Sequence, residues 1–264
     1  MSNRLKLIRF IVLIFIIISA AVSIIVILPT TFSNSNKKIK IMTWNISGAV
    51  GIDDKFNINR IIDEIDEQDP DIVGLQEVDS KVQISNVAEK LNMHYYYAKA
   101  GDTDEGNAIL SKYKIKDVEV IDLPLIDGTR PRILLKVKLL IDNKNFYIFI
   151  SHFSRYDKPL DHKNQANFVC NYISEHTQSR FILMGDLNFS PDSEAYTELM
   201  NNNKVTKIDT YRYVNQDSGN TFRSNNLFRR IDYILCSFDL NPTKSKVICT
   251  RASDHCAVLT EFQI

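Results

Sequence analysis

Cysteine is scarce and unpatterned in this 264-residue chain. Cys170, Cys236, Cys249 and Cys256 form no CxxC pair, which argues against a thiolate zinc site or a thioredoxin-like centre. Eight glycines and seven prolines are too few for a collagen-like or low-complexity chain, and 44% hydrophobic residues are too many for a disordered one. No internal repeat, Gly/Ser linker or block of like charge divides residues 38–264. Net charge is missing too, because 32 Lys and Arg balance 32 Asp and Glu. Three of those bases (Arg4, Lys6, Arg9) lie in the first 36 residues, which hold no acid, so the remainder carries 29 bases against 32 acids, a net of −3. The strongly basic footprint of a polynucleotide binder is absent. The cysteines read as buried thiols acting as small hydrophobes. An exported domain could instead pair two of Cys236, Cys249 and Cys256.

Long apolar runs are also absent, with one exception. From Phe10 to Leu28 the chain has no charge, and its only polar residues are Ser19 and Ser23. As a helix this run is about 28 Å long, close to the ~30 Å hydrocarbon core of a bilayer. A cleaved signal has a shorter apolar region followed by small residues, whereas here Ser19, Ala20 and Ala21 lie mid-run. The expected organisation is a basic tail (1–9), a transmembrane signal-anchor (10–28), a linker (29–37) and one domain (38–264). The basic tail places the domain on the extracytoplasmic side, as a single-pass membrane protein.

Within the domain, Lys38–Trp44 alternates polar and apolar residues, as a strand does. Ile58, Ile61, Ile62 and Ile65 recur at helical spacing, and Asp69-Pro70 ends that helix. Further strands are expected at 71–76, 94–98, 108–110, 114–121, 133–140, 146–150, 181–184, 231–235, 246–250 and 257–262, with helices near 82–91 and 161–176. Asp142-Asn143 marks a hairpin. Many strands and few helices favour two packed sheets over a doubly wound parallel sheet.

The informative pattern lies at the strand ends. Apolar runs finish or begin at Asn45, Glu77, His152, Asp186, Asn188, Asp232 and the pair Asp254-His255. Singly, each is an ordinary turn residue. Together they supply hard oxygen donors, two imidazoles and further carboxylates, a set suited to Mg²⁺ or Mn²⁺ rather than zinc.

The segments TWNISGAVGIDDKFNINRI, DPDIVGLQEVD, GNAILSKYKI, ISHFS, FILMGDLNFSPDS, NTFRSNNLFRRIDYIL and SDHCAV resemble, in that order, the endonuclease/exonuclease/phosphatase superfamily. That superfamily includes pancreatic deoxyribonuclease, exonuclease III-type endonucleases and neutral sphingomyelinases. The resemblance covers about residues 39–264 and implies a four-layer α/β sandwich: two packed, mostly antiparallel sheets flanked by helices. It implies Glu77, Asn45 and Asp254 as metal ligands. Asp186 and Asn188 would orient the attacking water and hold a phosphate oxygen. His255 would contact the phosphate as general base or electrostatic stabiliser, with Asp232 fixing its tautomer. His152 would bind phosphate or protonate the leaving oxygen. Asn107 and Arg132 are candidate substrate contacts. Arg155 and Tyr156 read as a solvated loop. Two positions depart from the pattern: Ser47 stands where close bacterial relatives often have His, and His162, ahead of Gln165, replaces an Arg.

The function expected is a Mg²⁺- or Mn²⁺-dependent hydrolysis of phosphate esters by a monomer, on a lipid or glycolipid headgroup at the membrane. The alternative is an extracytoplasmic nuclease acting on DNA or RNA. A non-catalytic binding protein on the same fold is a distant third.

Overall fold

A computed structural model of the protein describes residues 37–264, apart from positions 104, 128–129, 178–179, 206 and 225. The basic tail, the apolar run 10–28 and the linker as far as residue 36 lie outside the described residues. Among the described residues, no helix is long and apolar enough to cross a membrane.

Alternating apolar positions build two six-stranded sheets. The strands are β1 (Lys38–Asn45), β2 (Ile72–Val78), β3 (His94–Lys99), β4 (Gly106–Ser111), β5 (Ile115–Asp122), β6 (Ile133–Ile141), β7 (Lys144–His152), β8 (Phe181–Asp186), β9 (Lys207–Asp209), β10 (Asp232–Ser237), β11 (Asn241–Ile248) and β12 (Ala257–Gln263). One sheet has the order β11-β12-β1-β2-β4-β3 and the other β5-β6-β7-β8-β10-β9. Pairing is antiparallel except for one parallel pair in each sheet, β1 with β2 and β7 with β8. A parallel pair needs a crossover, and helices supply it: α1 (Ile58–Gln68) in the first sheet and α3 (Pro159–His176) in the second.

Packing yields four layers. Ile39, Ile41, Ile72, Ile109, Leu135, Ile150, Met184 and Ile234 meet in the seam between the sheets. Ile61, Ile62 and Ile65 of α1, with Ile84 and Val87 of α2 (Lys81–Lys90), cover the outer face of the first sheet. Val169 and Ile173 of α3, with Leu199 of α4 (Glu194–Asn201), cover the second. The expected sandwich of two packed sheets flanked by helices is the fold observed.

The structure adds α4, β9 and a short α5 (Thr210–Val214) to the elements read from sequence. It also starts β11 five residues before the expected 246. Asn241-Pro242 looks like a strand breaker, but β11 is an edge strand with a register shift between Pro242 and Lys244, where proline is tolerated. The reading of four free thiols is corrected for two of them. Cys249 and Cys256 form a disulfide, while Cys170 and Cys236 are buried and free. The bonded pair flanks the β11–β12 connection, one step beyond the register pair Ile248–Ala257.

Gly185 governs how closely β7 and β8 approach. Its φ is +144°, and a Cβ there would lie 1.8 Å from the Ser151 carbonyl oxygen. We expect Gly185→Ala to destabilise the domain by about 3 kcal/mol or more, since strain and backbone overlap add. Urea unfolding followed by circular dichroism checks this, and an unchanged midpoint would refute it.

Candidate active site

Four strand ends from the two parallel pairs converge at one end of the sandwich. β1 ends at Asn45 and β2 carries Glu77; β7 ends at His152 and β8 at Asp186. In the ladders, Asn45 pairs with Gln76 and His152 with Asp186. β10 opens beside them, with Asp232 opposite Asp186, and His255 stands two residues before the start of β12.

Ligand atoms of Glu77, His152 and Asp186 lie within 4.8 Å of one another, as do those of Asp186, Asp232 and His255. Asp186 belongs to both groups. Asn45 Nδ2 donates to Glu77 Oε1 and to Asp186 Oδ2, each at 3.0 Å. Its Oδ1 accepts from the Ser47 N–H at 3.0 Å. Two carboxylates therefore share one neutral amide donor. That excess of negative charge in a buried place, made of oxygen donors, fits a hard divalent cation. Asp254 lines the same cleft but belongs to neither of the two groups. Glu77 would be the central ligand, with Asn45 and Asp254 beside it.

The two histidines are held in opposite states. Arg132, a donor only, reaches His152 Nδ1 at 3.1 Å. Nδ1 must accept, so the imidazole is neutral and turns Nε2–H toward Asp186 Oδ2, 3.4 Å away. Burial and the Arg132 charge push the His152 pKa well below its usual value. His255 donates from Nδ1 to Asp232 Oδ2 at 3.0 Å, and its Nε2 lies 3.8 Å from Asp186 Oδ2. Burial opposes charge on this ring, but the Asp232 and Asp186 carboxylates outweigh it and raise the pKa to about 10. Asp186 itself is raised to about 7 by burial, reinforced by the Asp232 and Glu77 charges and opposed by His255 and Asn45. Burial also raises Glu77.

Three residues of the site hold strained backbone. Glu77 (φ 53°), Asn188 (φ 56°) and Ser47 (φ 48°) all adopt left-handed conformations, the kind of local cost that persists where the surroundings over-determine it. Glu77 lies within the β2–β4 register shift between Leu75 and Val78, and a bulge re-aims the side chain it contains. Asn188 is fixed by its N–H to Asp186 Oδ1 at 3.0 Å and its Nδ2 to the Phe153 carbonyl at 3.3 Å.

Every sequence-predicted site residue lies in or beside one cleft of about 750 Å³, lined by Glu77, Arg132, His152, Asp186, Asn188, Asp254 and His255 among others. Asn45 and Asp232 support these groups from behind. Asn107 is buried and faces a small recess with Arg132 and His152. Ser47 lines the cleft. His162 and Gln165 brace the segment after His152: His162 Nε2 donates to the Ser154 carbonyl at 2.6 Å, and Gln165 Oε1 accepts from the Ser154 N–H at 3.0 Å. Arg155 and Tyr156, read as a solvated loop, form part of the cleft wall.

Sequence reasoning missed Thr221 and the wall it begins. The Thr221 hydroxyl donates to Asp232 Oδ2 at 2.6 Å and accepts from the Ile231 and Asp232 N–H groups at 3.2 Å. It fixes the carboxylate that fixes His255. Phe222 packs its ring 4.8 Å from the His255 imidazole. The only signal was its place in the segment NTFRSNNLFRRIDYIL, which carries the family resemblance without giving Thr221 a role. We expect Thr221→Val to cost about 1–3 kcal/mol by orphaning two backbone donors and to lower kcat roughly 10-fold, while Thr221→Ser retains both properties. Equal kcat for the Val and wild-type proteins would remove Thr221 from the site.

The sequence profile of the Endonuclease/Exonuclease/phosphatase family matches residues 42–255. A search among curated proteins yields no match. Solved structures do match. An endonuclease/exonuclease/phosphatase from Beutenbergia cavernae is 22% identical with a TM-score of 0.73, covering 86% of this chain and 72% of its own. The Bacteroides thetaiotaomicron mannosyl-6-phosphatase is 20% identical with a TM-score of 0.73, covering 86% and 100% respectively. The human Nocturnin catalytic domain, solved with a bound sulfate anion, is 20% identical with a TM-score of 0.72, covering 85% and 94%. At these identities the structures speak for the fold, and the profile match speaks for the lineage. The chain belongs to the endonuclease/exonuclease/phosphatase family, hydrolases of phosphate esters that are typically dependent on a divalent metal.

Proposed function

We propose that the protein is a Mg²⁺- or Mn²⁺-dependent phosphoric ester hydrolase that acts as a monomer, is held at a membrane by residues 10–28, and works on phosphorylated headgroups on the extracytoplasmic side. The observation that carries the hydrolase reading is the convergence of Glu77, His152, Asp186, Asp232 and His255 in one cleft. The membrane placement rests on the uncharged 19-residue run from Phe10 to Leu28, preceded by three basic residues. The Cys249–Cys256 bond agrees with an oxidising compartment.

In this reading, Asp186 orients the attacking water and accepts its proton, with Asn188 fixing the carboxylate and holding a phosphate oxygen. His255, kept charged by Asp232, meets the growing negative charge on the phosphoryl oxygens. His152 stays neutral and donates a hydrogen bond from Nε2 to the leaving oxygen, which takes its proton from solvent, and Arg132 keeps that tautomer in place. A divalent cation held by Glu77, Asn45 and Asp254 would supply Lewis-acid neutralisation of the phosphoryl charge. Phosphatase and nuclease names among the structural neighbours agree with phosphoester chemistry and leave the substrate open.

Chelation by EDTA is expected to reduce hydrolysis to background, with recovery on adding Mg²⁺ or Mn²⁺. Glu77→Ala should lose at least ~100-fold in kcat without a change in the circular dichroism spectrum. A screen over phosphatidylinositol, sphingomyelin, plasmid DNA, RNA and phosphomonoesters measures both effects. Turnover that survives chelation or Glu77→Ala would overturn the metal-dependent reading.

The tether makes a separate prediction. Full-length protein should stay in the membrane pellet through alkaline washing, and protease added outside intact cells should digest the domain. Removing residues 1–36 should reduce activity on bilayer lipid by ~10-fold or more, and on a soluble ester by much less, because a tether raises effective concentration without new contacts. A soluble product beginning near residue 30 would refute the anchor and favour a diffusing nuclease.

A further inference from the structure

Two arginines of the cleft wall, Arg223 and Arg229, have no role in the mechanism above. Five guanidinium groups line the cleft, those of Arg130, Arg132, Arg155, Arg223 and Arg229. Three have partners: Arg132 donates to His152 at 3.1 Å, Arg130 pairs with Glu105 at 2.9 Å, and Arg155 lies 3.9 Å from Asp157. Among the described residues, Arg223 and Arg229 have no carboxylate partner. Arg229 lies over two rings instead, 4.6 Å from the Tyr156 centroid and 5.2 Å from the Phe228 centroid. An aromatic ring holds a guanidinium without using up its N–H groups as a carboxylate would, so these donors can serve an oxyanion. Arg223 lies 5.7 Å from the Phe222 ring.

Backbone bonds hold this wall at a fixed distance from the catalytic groups. The Thr221 N–H donates to the Arg229 carbonyl at 2.7 Å, and the Arg229 N–H to the Phe222 carbonyl at 3.0 Å. The Ser224 N–H donates to the Asp254 carbonyl at 2.7 Å, and the Ser224 hydroxyl to the Ser253 carbonyl at 2.7 Å. Phe222 stands between the two regions, 4.8 Å from His255 and 5.7 Å from Phe228. The arrangement is preorganised, and a cleft of about 750 Å³ accommodates a small molecule rather than one phosphate alone.

We propose that Arg229, with Arg223, forms a second anion subsite that receives a phosphate group other than the one being cleaved, so that the preferred substrates are compact phosphoesters carrying two phosphates. The proposal rests on the phosphoester-hydrolase reading for the identity of the first phosphate. A polynucleotide is disfavoured, because two unpaired guanidiniums make no track along a backbone and the residues beyond 36 carry a net charge of −3.

The test uses non-hydrolysable ligands, which need no knowledge of the natural substrate. Alkane bisphosphonates with two to six methylenes are titrated calorimetrically into full-length protein in detergent with Mg²⁺, against propylphosphonate. At least one spacer should bind about 10-fold tighter or more than the monophosphonate. Arg229→Gln should reduce that advantage to within about 3-fold, and Arg223→Gln should reduce it partly. Lys244→Gln, on exposed β11, should preserve it. If no spacer gains, or if the gain survives Arg229→Gln combined with Arg223→Gln, the subsite is refuted while hydrolysis can still stand. Loss of hydrolysis on every ester, with the Arg229-dependent gain intact, would overturn the enzyme reading and keep the subsite. Displacement of the bisphosphonate then separates the sources. Phosphatidylcholine vesicles doped with phosphatidylinositol 4-phosphate acting at lower concentration than glycerophosphoinositol 4-phosphate would assign the second phosphate to a bilayer headgroup, and equal potency to a free phosphoester. An oligothymidylate displacing as well as either would refute the preference for compact substrates.

Discussion

The apolar seam between the two sheets is the constraint on which the rest of the molecule depends. Ile41 and Ile72 from one parallel pair, and Ile150 and Met184 from the other, are fully buried there. Their contact places the ends of β1, β2, β7 and β8 together. The cluster that results could not assemble itself. Glu77, Asp186 and Asp232 bring like charges into a desolvated region, where both burial and mutual repulsion oppose them unless other interactions impose the geometry. Dispersion and hydrophobic burial along the seam, together with α1–α4 on the outer faces, impose it. The perturbed protonation of Asp186, His152 and His255 is therefore a product of packing several residues away from the chemistry.

Much of this was legible in the sequence, for a simple physical reason. A buried strand is an uninterrupted apolar run, so a polar residue at its end stands out, and Asn45, Glu77, His152 and Asp186 all stand out in this way. The pattern fails where burial is shared unequally. β9 has three residues, one of them the buried Lys207, and offers no alternation to read. Helix α4 is eight residues long, too short for a clear period. The disulfide was one pairing among three, because the register of β11 on β12 is not written in either strand. Once β11 and β12 are paired through Ile248 and Ala257, Cys249 and Cys256 face each other.

Thr221 and the arginine wall were illegible for a different reason. Their roles are relational. Thr221 is an ordinary hydroxyl until Asp232, eleven residues later, folds back onto it. Arg229 looks like a solvated charge until Tyr156, remote in sequence, supplies a ring for it. The fold-defining residues report themselves one at a time, whereas these report only in pairs. His162 and Gln165 make the same point in reverse. They sit where the sequence departs from the family pattern, and the structure uses them to brace the chain behind His152.

The strand order carries a consequence for how the domain is made. The two sheets have the same arrangement, with β1 and β2 in one corresponding to β7 and β8 in the other, yet each is completed by strands from the opposite half of the chain. β5 and β6 leave the first half to flank β7, while β11 and β12 return from the second half to flank β1. The first strand made thus pairs with the last, Lys38 opposite Gln263. Until the final residues emerge, β1 has one edge unpaired, and sequence-distant pairing of this kind is slow to form and exposed to aggregation. The first sheet therefore closes only when β11 and β12 reach β1, whereas the second draws on the consecutive strands β5–β10 alone.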